Sequence, residues 1–588
     1  MRVFEPGELE RLLHEFRRGR LSRRDFMRAL GTGSIVLAGS AACGPAVPAD
    51  APTAAVKSQT GVATPPAAAP TAATSTGPTA VQAAKPAAVT PSSSGRNDIV
   101  LVFYGDVTSM DPHQNVLREG IKLFYHLYDN LGVRDYQTNR VGPWLATSWK
   151  AANDTTWEME LRGDVTFHNG DRFTGDTVKF NVERVLNPET KSPQRGNWLA
   201  VDRIEVVDRT HIIWHTKNPY PVFAERLQNL QFISEAAVKD KGDAWVADNA
   251  VGTGPYKLVK WDRGQQIVLE RNDSYWGPKP AFKDATIRII KDPATAVAEL
   301  LAGRADIVPA FPVDQMKTLE NSGAGHATTA SILRTCFRGL DTKQRTGPNP
   351  TSDKNVRQAI NYACDIDGYI KQLQAGGDRT PGNVSKLAFG FDPTVQPYPY
   401  DPPKAKELLS QAGYAEGPDG ILQKSGQPLE LRLITGPTTV PNNKQLNEAI
   451  AQDLQAVGIK ATIQNFSDST AFTTTVSEGK AGPMFQWDWG YFSVFDADGV
   501  LWDMHHSSSP YAYFSTPELD QLLEQGRSTL DEATRKEVYS KAQLLLREEA
   551  AVLFMFSVTS VWGVSNRIDW QARADEVDRI FEAKPRSS

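Results

Sequence analysis

The stretch over residues 44–96 decides what this 588-residue chain can fold into. It consists almost wholly of Ala, Pro, Thr, Ser and Gly, with one acid (Asp50) and three bases (Lys57, Lys85, Arg96). Such a segment cannot bury enough apolar surface to offset the entropy of ordering it. It reads as a disordered, partly extended tether. It leaves a short leader, residues 1–43, and a body, residues 97–588, which carries all 13 Trp and an acidic excess larger than the whole chain's −5.

The leader is an address. Residues 1–28 hold eight Arg and five acids, among them Ser22-Arg23-Arg24-Asp25-Phe26-Met27-Arg28, and a Gly- and Ala-rich apolar stretch runs on to Ala42. A charged segment, a short apolar segment and small residues, in that order, mark an export signal. At about 14 residues the apolar part is too short to span a bilayer. The paired arginines before Phe26 resemble a twin-arginine signal, which implies a bacterial or archaeal protein exported already folded. Ser40-Ala41-Ala42-Cys43 resembles a lipobox, so Cys43 is the candidate site of lipidation. The small residues Ser40 and Ala42 also suit ordinary signal peptidase. A lipid anchor followed by a tether would hold the body at the outer face of the cytoplasmic membrane; without the anchor it would be free in the periplasm.

Composition narrows the body's role. With 64 Lys+Arg against 69 Asp+Glu and a pI near 6.1, the whole chain lacks the basic excess of a nucleic-acid binder. No run of about 20 apolar residues follows the leader, which excludes a polytopic membrane protein. Three cysteines, Cys43, Cys336 and Cys364, cannot build a disulfide framework.

The pattern along the body alternates strand and helix. Residues 99–104 read as a buried strand, 157–161 as a half-buried one, and 174–186 as a helix with Val178, Val182 and Val185 on one face. Residues 257–261 and 266–270 flank Asp262-Arg263-Gly264, a hairpin signal. Residues 285–290, a helix over 294–302 introduced by Asp292-Pro293, and a strand at 306–308 form a strand–helix–strand unit, which predicts a parallel pair. Helices at 355–362, 403–412, 444–457, 517–527 and 532–548 and strands at 429–434 and 460–464 follow. The fold class is α/β in at least two lobes.

Catalytic motifs are missing. The chain has no Gly-x-Ser-x-Gly elbow, no Gly-x4-Gly-Lys-Ser/Thr, no His-Glu-x-x-His and no Cys-x-x-Cys. Cys336 and Cys364 read as buried, inert thiols. His505-His506 beside Asp503 is a poor metal pair, since neighbours on an extended chain point apart. His211 and His215 read as sheet-surface residues, and Asp496 and Asp498 as solvated loop acids or an acid–base pair. No metal or cofactor is expected. Trp487, Trp489 and Tyr491 alternate with Asp488 and Gly490, so on a strand their rings share one face, with Trp502 a little further on. That face suits a binding cleft or an aromatic core equally.

Five segments together resemble the family 5 solute-binding proteins of bacterial ABC importers, the peptide, nickel and oligosaccharide group. They are Leu161-Arg162-Gly163-Asp164-Val165-Thr166-Phe167-His168-Asn169-Gly170 with Phe173-Thr174-Gly175-Asp176; Gly252-Thr253-Gly254-Pro255-Tyr256 extending to Tyr275-Trp276; Ala302-Gly303-Arg304-Ala305-Asp306; Val356-Arg357-Gln358-Ala359-Ile360; and Tyr400-Asp401 through Ala412-Gly413-Tyr414. They occur in the family's order over nearly the whole body. The resemblance implies a two-lobed periplasmic-binding-protein fold, type II, of the large cluster with an extra subdomain in the first lobe. Lobe 1 would be 97–330 plus 556–588, and lobe 2 would be 331–555. It implies a monomer without catalysis that captures a small solute, a peptide by default and an oligosaccharide as alternative, and delivers it to a membrane permease. It places ligand contacts at 487–496 (Trp487, Asp488, Trp489, Tyr491, Asp496) and at the early segment holding Ser109 and Tyr128. The Asp that would meet a peptide amine is replaced, since Phe492 or Ser493 stands at its place. Asp488 or Asp496 would substitute, and Arg334 and Arg338, on one strand face, would meet a ligand carboxylate as forked donors. A secreted hydrolase and a sensor or chaperone subunit are the competing readings.

Overall fold

The computed structural model describes residues 96–586 apart from 116, 136, 418 and 491–493. The expected export signal with Cys43, nearly all of the expected tether, and Tyr491 lie outside the described residues.

The body opens with β1 (Asp98–Phe103), five of whose six residues are buried. A strand buried on both faces reads as a continuous apolar run, as Ile99-Val100-Leu101-Val102-Phe103 does. Helix α1 (Arg118–Leu127) follows. The chain then builds a separate four-stranded antiparallel sheet from β2 (Ala146–Asn153), β3 (Thr156–Leu161), β4 (Val201–Val206) and β5 (His211–Thr216), ordered β2-β3-β5-β4. Helix α2 (Gly175–Leu186) lies between β3 and β4 in the chain and is capped by Thr174. Val178, Val182 and Val185 of its apolar face join Trp198, Trp214 and Phe223 in this unit's own core. His211 and His215 sit on the sheet surface beside Glu160 and Glu205, as the sequence predicts.

The chain returns through the hairpin β6 (Tyr256–Asp262) and β7 (Gln266–Arg271), then β8 (Asp284–Ile289), α3 (Pro293–Leu301) and β9 (Ile307–Pro309). Asp292 caps α3, accepting from Thr295 N at 2.8 Å. The expected parallel pair takes a different form. Strands β8 and β9 do not touch; β1 lies between them, parallel to both. The crossover helix therefore spans an inserted strand drawn from the start of the body, a choice that local spacing cannot express.

Beyond β9 comes β10 (Gly325–Leu340), then α4 (Lys354–Ala363), α5 (Pro402–Gln411), β11 (Glu430–Thr435), α6 (Asn443–Ala456), β12 (Lys460–Asn465) and β13 (Met484–Trp489). Helices α7 (Asp498–His505), α8 (Pro517–Ser528) and α9 (Glu532–Glu548) lead into β14 (Val552–Ser565). The large sheet runs β12-β11-β13-β10-β14-β9-β1-β8-β7-β6.

Strands β10 and β14 join the two lobes. Gly325–Ser331 of β10 pairs with 559–565 of β14 beside β9, while 335–339 pairs with 552–557 beside β13. The register slips between Ser331 and Thr335 and again between Cys336 and Phe337. Irregular pairing of this kind bends and twists a strand. Cys336 and Cys364 are buried, unpaired thiols. Among the described residues no helix is long and apolar enough to cross a membrane.

Candidate functional site

A cavity of about 450 Å³ opens between α1 with the chain at 194–231 on one side and the end of β13, α7 and α8 on the other. Its two walls come from chain segments nearly 300 residues apart.

The wall from lobe 2 is stiff. Trp489 donates its Nε1 proton to Gly499 O at 2.6 Å, tying the end of β13 to α7. The Trp502 ring stacks on His506 with centroids 3.7 Å apart, and the Arg527 guanidinium lies 3.6 Å from its centroid. Arg527 also holds Asp498 through two hydrogen bonds, Nε at 2.6 Å and Nη2 at 3.0 Å. Asp496 is tied in the same way by Arg535, at 2.9 Å for each oxygen. A planar guanidinium meeting a carboxylate through two parallel bonds fixes geometry as well as charge.

Two cavity groups are left without an ionic partner. Among the described residues no cation lies within 4 Å of the Asp503 carboxylate. Burial pushes this carboxyl up to about 6, and Asp498 adds to the shift while Arg527 and Arg226 oppose it. Arg226 has no carboxylate within that distance either. Its Nη1 donates to Asn197 Oδ1 at 3.2 Å, and its Nε is buried without a hydrogen-bond partner. A buried polar group without a partner is costly unless something fills the gap.

The walls also touch each other. Phe495 N donates to Glu225 Oε2 at 3.3 Å, and the Arg134 guanidinium lies 3.8 Å from the Phe495 ring centroid while pairing with Glu225.

The structure redistributes the residues singled out from the sequence. Trp489 lines the cavity, but Trp487 is 7% exposed and packs against Phe472 and Tyr511 at 5.7 and 5.5 Å. Of the two described rings on that strand face, Trp487 therefore lies in the lobe core and Trp489 meets the cleft. Asp496 and Asp498 are not solvated loop acids; both are 4% exposed and bound by arginine. Asp488 accepts from the Thr438 hydroxyl at 2.9 Å and lies 3.6 Å from Arg334.

Arg334 and Arg338 share a strand face but not a ligand. Both are fully buried. Arg334 Nη2 donates to both oxygens of Glu576 at 2.7 and 2.8 Å, and Arg338 donates to Asn447 Oδ1 through Nε and Nη2 at 3.0 and 2.6 Å. Ser109 and Tyr128 are internal too: the Ser109 hydroxyl donates to Ala247 O at 3.3 Å and accepts from Asp111 N, while the Tyr128 hydroxyl donates to Met110 O at 2.7 Å. His505 is buried beside Asn383. Arg226, Arg527 and Asp503 were not singled out as ligand groups. The only local signal was the Asp503–His506 cluster read for metal binding; nothing near Arg226 in the sequence marks it.

Comparison with known proteins places this architecture. Residues 140–511 match the family described as bacterial extracellular solute-binding proteins, family 5 Middle. The chain is 28% identical over 437 residues to the nickel-binding periplasmic protein of Escherichia coli (strain K12), covering 70% of this chain and 80% of that one. It is 28% identical over 479 residues to the glutathione-binding protein of Pectobacterium atrosepticum, covering 78% and 88%. Among solved structures, NikA from Brucella suis in complex with Fe(III)-EDTA superposes with a TM-score of 0.75 at 27% identity, over 83% of this chain and all of that one. The ABC transporter-associated periplasmic binding protein DppA of Helicobacter pylori in complex with the peptide STSA shares the fold, with a TM-score of 0.68 at 23% identity over 83% of this chain and 98% of that one.

Proposed function

Because the chain belongs to the bacterial extracellular solute-binding proteins of family 5, we propose that it captures a short zwitterionic, peptide-like solute between its two lobes for an ABC importer. One observation carries this reading: the same cavity holds an arginine and an aspartate, Arg226 and Asp503, that among the described residues make no ion pair within 4 Å. Arg226 supplies forked donors for a ligand carboxylate, and Asp503 accepts from a ligand amine. Trp489 and Trp502 supply ring surface between them. A volume near 450 Å³ falls at the small end of ligand pockets, which suits a few residues and not a long chain.

Closure needs no chemistry. A solute that touches both walls binds the closed state better than the open one and shifts the population towards it. The contact of Phe495 with Glu225 and Arg134 then forms part of the closed state. The division into lobe 1 (97–330 plus 556–588) and lobe 2 (331–555) is supported by the register slips of β10 against β14 at Ser331–Phe337. Export through residues 1–43, lipid attachment at Cys43, the tether, a monomeric state and the lack of a catalytic step belong to the same reading.

An oligosaccharide is the second reading, favoured by the amides of Asn229 and Gln231, which line the same cavity as Trp489 and Trp502 and, among the described residues, have no hydrogen bond to their side chains. Native mass spectrometry of the protein, purified without denaturation from its host, separates the two. A ladder of peptide masses supports the first and a single sugar mass the second. A ligand-free protein that binds neither, yet turns over a generic ester or glycoside, overturns both.

A further inference from the structure

A second cavity, of about 520 Å³, lies among residues 144, 275–281 and 569–584 and shares no lining residue with the cleft. Its walls are the rings of Trp144, Tyr275, Trp570 and Phe581. The polar atoms of these rings are engaged inside the protein. Trp144 Nε1 and the Tyr275 hydroxyl both donate to Asp129 Oδ1, at 2.7 and 3.0 Å, and Trp570 Nε1 donates to Arg579 O at 3.1 Å. The other oxygen of Asp129 accepts from Trp276 Nε1 at 3.0 Å and the Thr253 hydroxyl at 2.8 Å. A carboxylate only 4% exposed is expensive to bury. Here it takes four neutral donors and fixes the attitude of three rings, so that ring carbon is what the cavity offers.

The rim has a sign. Its acids are matched: Asp569 to Arg586 at 2.7 Å, and Glu582 to Arg579 at 3.2 Å and Arg573 at 3.5 Å. Arg573 is itself held by Asp575 at 2.8 Å. Lys279 and Lys584 are exposed, and among the described residues neither has a carboxylate within 4 Å. The charge left over is positive.

We infer that this cavity is a second ligand site, taking a small ring-bearing carboxylic acid whose ring packs on Trp144, Tyr275, Trp570 and Phe581 and whose carboxylate meets Lys279 and Lys584. Ring-on-ring packing favours an aromatic ligand over an aliphatic one of equal area. Exposed ammonium groups add a modest preference for the acid. The site works independently of the cleft and of the solute carried there.

The test uses the full-length protein and 2-naphthoate as probe, followed by calorimetry and saturation-transfer NMR. Naphthoate is expected to bind, with neutral 2-naphthamide weaker and 2-naphthylmethylamine weakest. Reversing both lysines (Lys279→Glu with Lys584→Glu) lowers naphthoate affinity about tenfold, as two screened charges suggest. Ala281→Trp, which puts an indole against the cavity, abolishes binding, whereas Arg226→Ala in the cleft leaves it unchanged. Both lysines are exposed, so the double reversal folds and decides the matter even if Ala281→Trp does not. No binding at millimolar naphthoate, loss on Arg226→Ala instead of on the lysine reversals, or an amine that binds as well as the acid overturns the assignment.

Discussion

The strand crossing between the lobes and the cleft beside it hold the same kinds of charged residue and use them in opposite ways. At the crossing the acids Glu576 and Asp578 are matched inside the protein. Arg334 clamps Glu576, Arg118 joins it, and Lys122 reaches Asp578 at 2.6 Å while Trp562 donates to the other oxygen at 2.7 Å. Burial alone would raise the Glu576 carboxyl, but Arg334 and Arg118 hold it below the usual range. In the cleft, Asp498 is matched by Arg527, yet among the described residues no ion pair within 4 Å holds Asp503 or Arg226. Matched buried charges fix geometry and are costly to break singly. Unmatched ones carry a cost in the free protein that a ligand of the right charge removes. The difference separates groups that hold the lobes from groups that await a solute.

Breaking a matched pair gives the largest effect. Arg334→Met removes the two-bond partner of Glu576, leaving it to Arg118, and is expected to cost about 3 kcal/mol in chemical denaturation; a loss under about 1 kcal/mol would erase the contrast drawn above. In the cleft the loss falls on binding. Arg226→Ala is expected to weaken solute binding about 10–100-fold in calorimetry near neutral pH, the worth of a charged hydrogen bond, with the unfolding midpoint hardly moved. A variant that unfolds early while binding normally would move Arg226 to the matched class.

Asp503 sharpens the comparison through pH. Its carboxyl titrates at about 6 in the fold and at about 4 in the unfolded chain. Ionising it in the folded state therefore costs free energy, and its contribution to stability is full below about pH 4 and lost as pH rises through about 6. Asp503→Asn is expected to exceed wild type by roughly 1–3 kcal/mol at neutral pH, with the gap closing in acid. Wild-type affinity for a solute amine runs the other way, falling as pH drops below about 6, and the variant shows no such fall. Equal pH profiles for the two proteins would remove Asp503 from the site.

The two tryptophans of β13 make a smaller pair. Trp487→Phe is expected to cost about 1–2 kcal/mol of stability with affinity intact. Trp489→Phe loses the Gly499 hydrogen bond and cleft surface, so affinity falls about tenfold. The least effect belongs to Arg140 and Glu532, which lie 3.9 Å apart with side chains 71% and 59% exposed. Arg140→Ala should change stability by less than about 0.5 kcal/mol.

Much of the fold is legible along the chain because local rules write it there. Asp292-Pro293 starts α3, Asp262-Arg263-Gly264 turns the β6–β7 hairpin, and the valine stripe of α2 faces its core. The five family segments, read in order, identify the two-lobed architecture. The site was less legible. Trp487 and Trp489 look alike in sequence, and only the packing of Phe472 and Tyr511 sends the first into the core. Arg334 and Arg338 look like free forks until Glu576 and Asn447, far along the chain, are seen to fill them.

The sequence by itself determined the α/β alternation and the family, since each depends on spacing within a few turns or on short motifs in order. Only the tertiary structure decided that β1 enters between β8 and β9, which acids and arginines neutralise each other, and that Arg226 and Asp503 line one cavity with no ion pair among the described residues. Those outcomes depend on which distant segments come within hydrogen-bond reach, and Coulomb attraction and burial act on distance in space, which spacing along the chain does not encode.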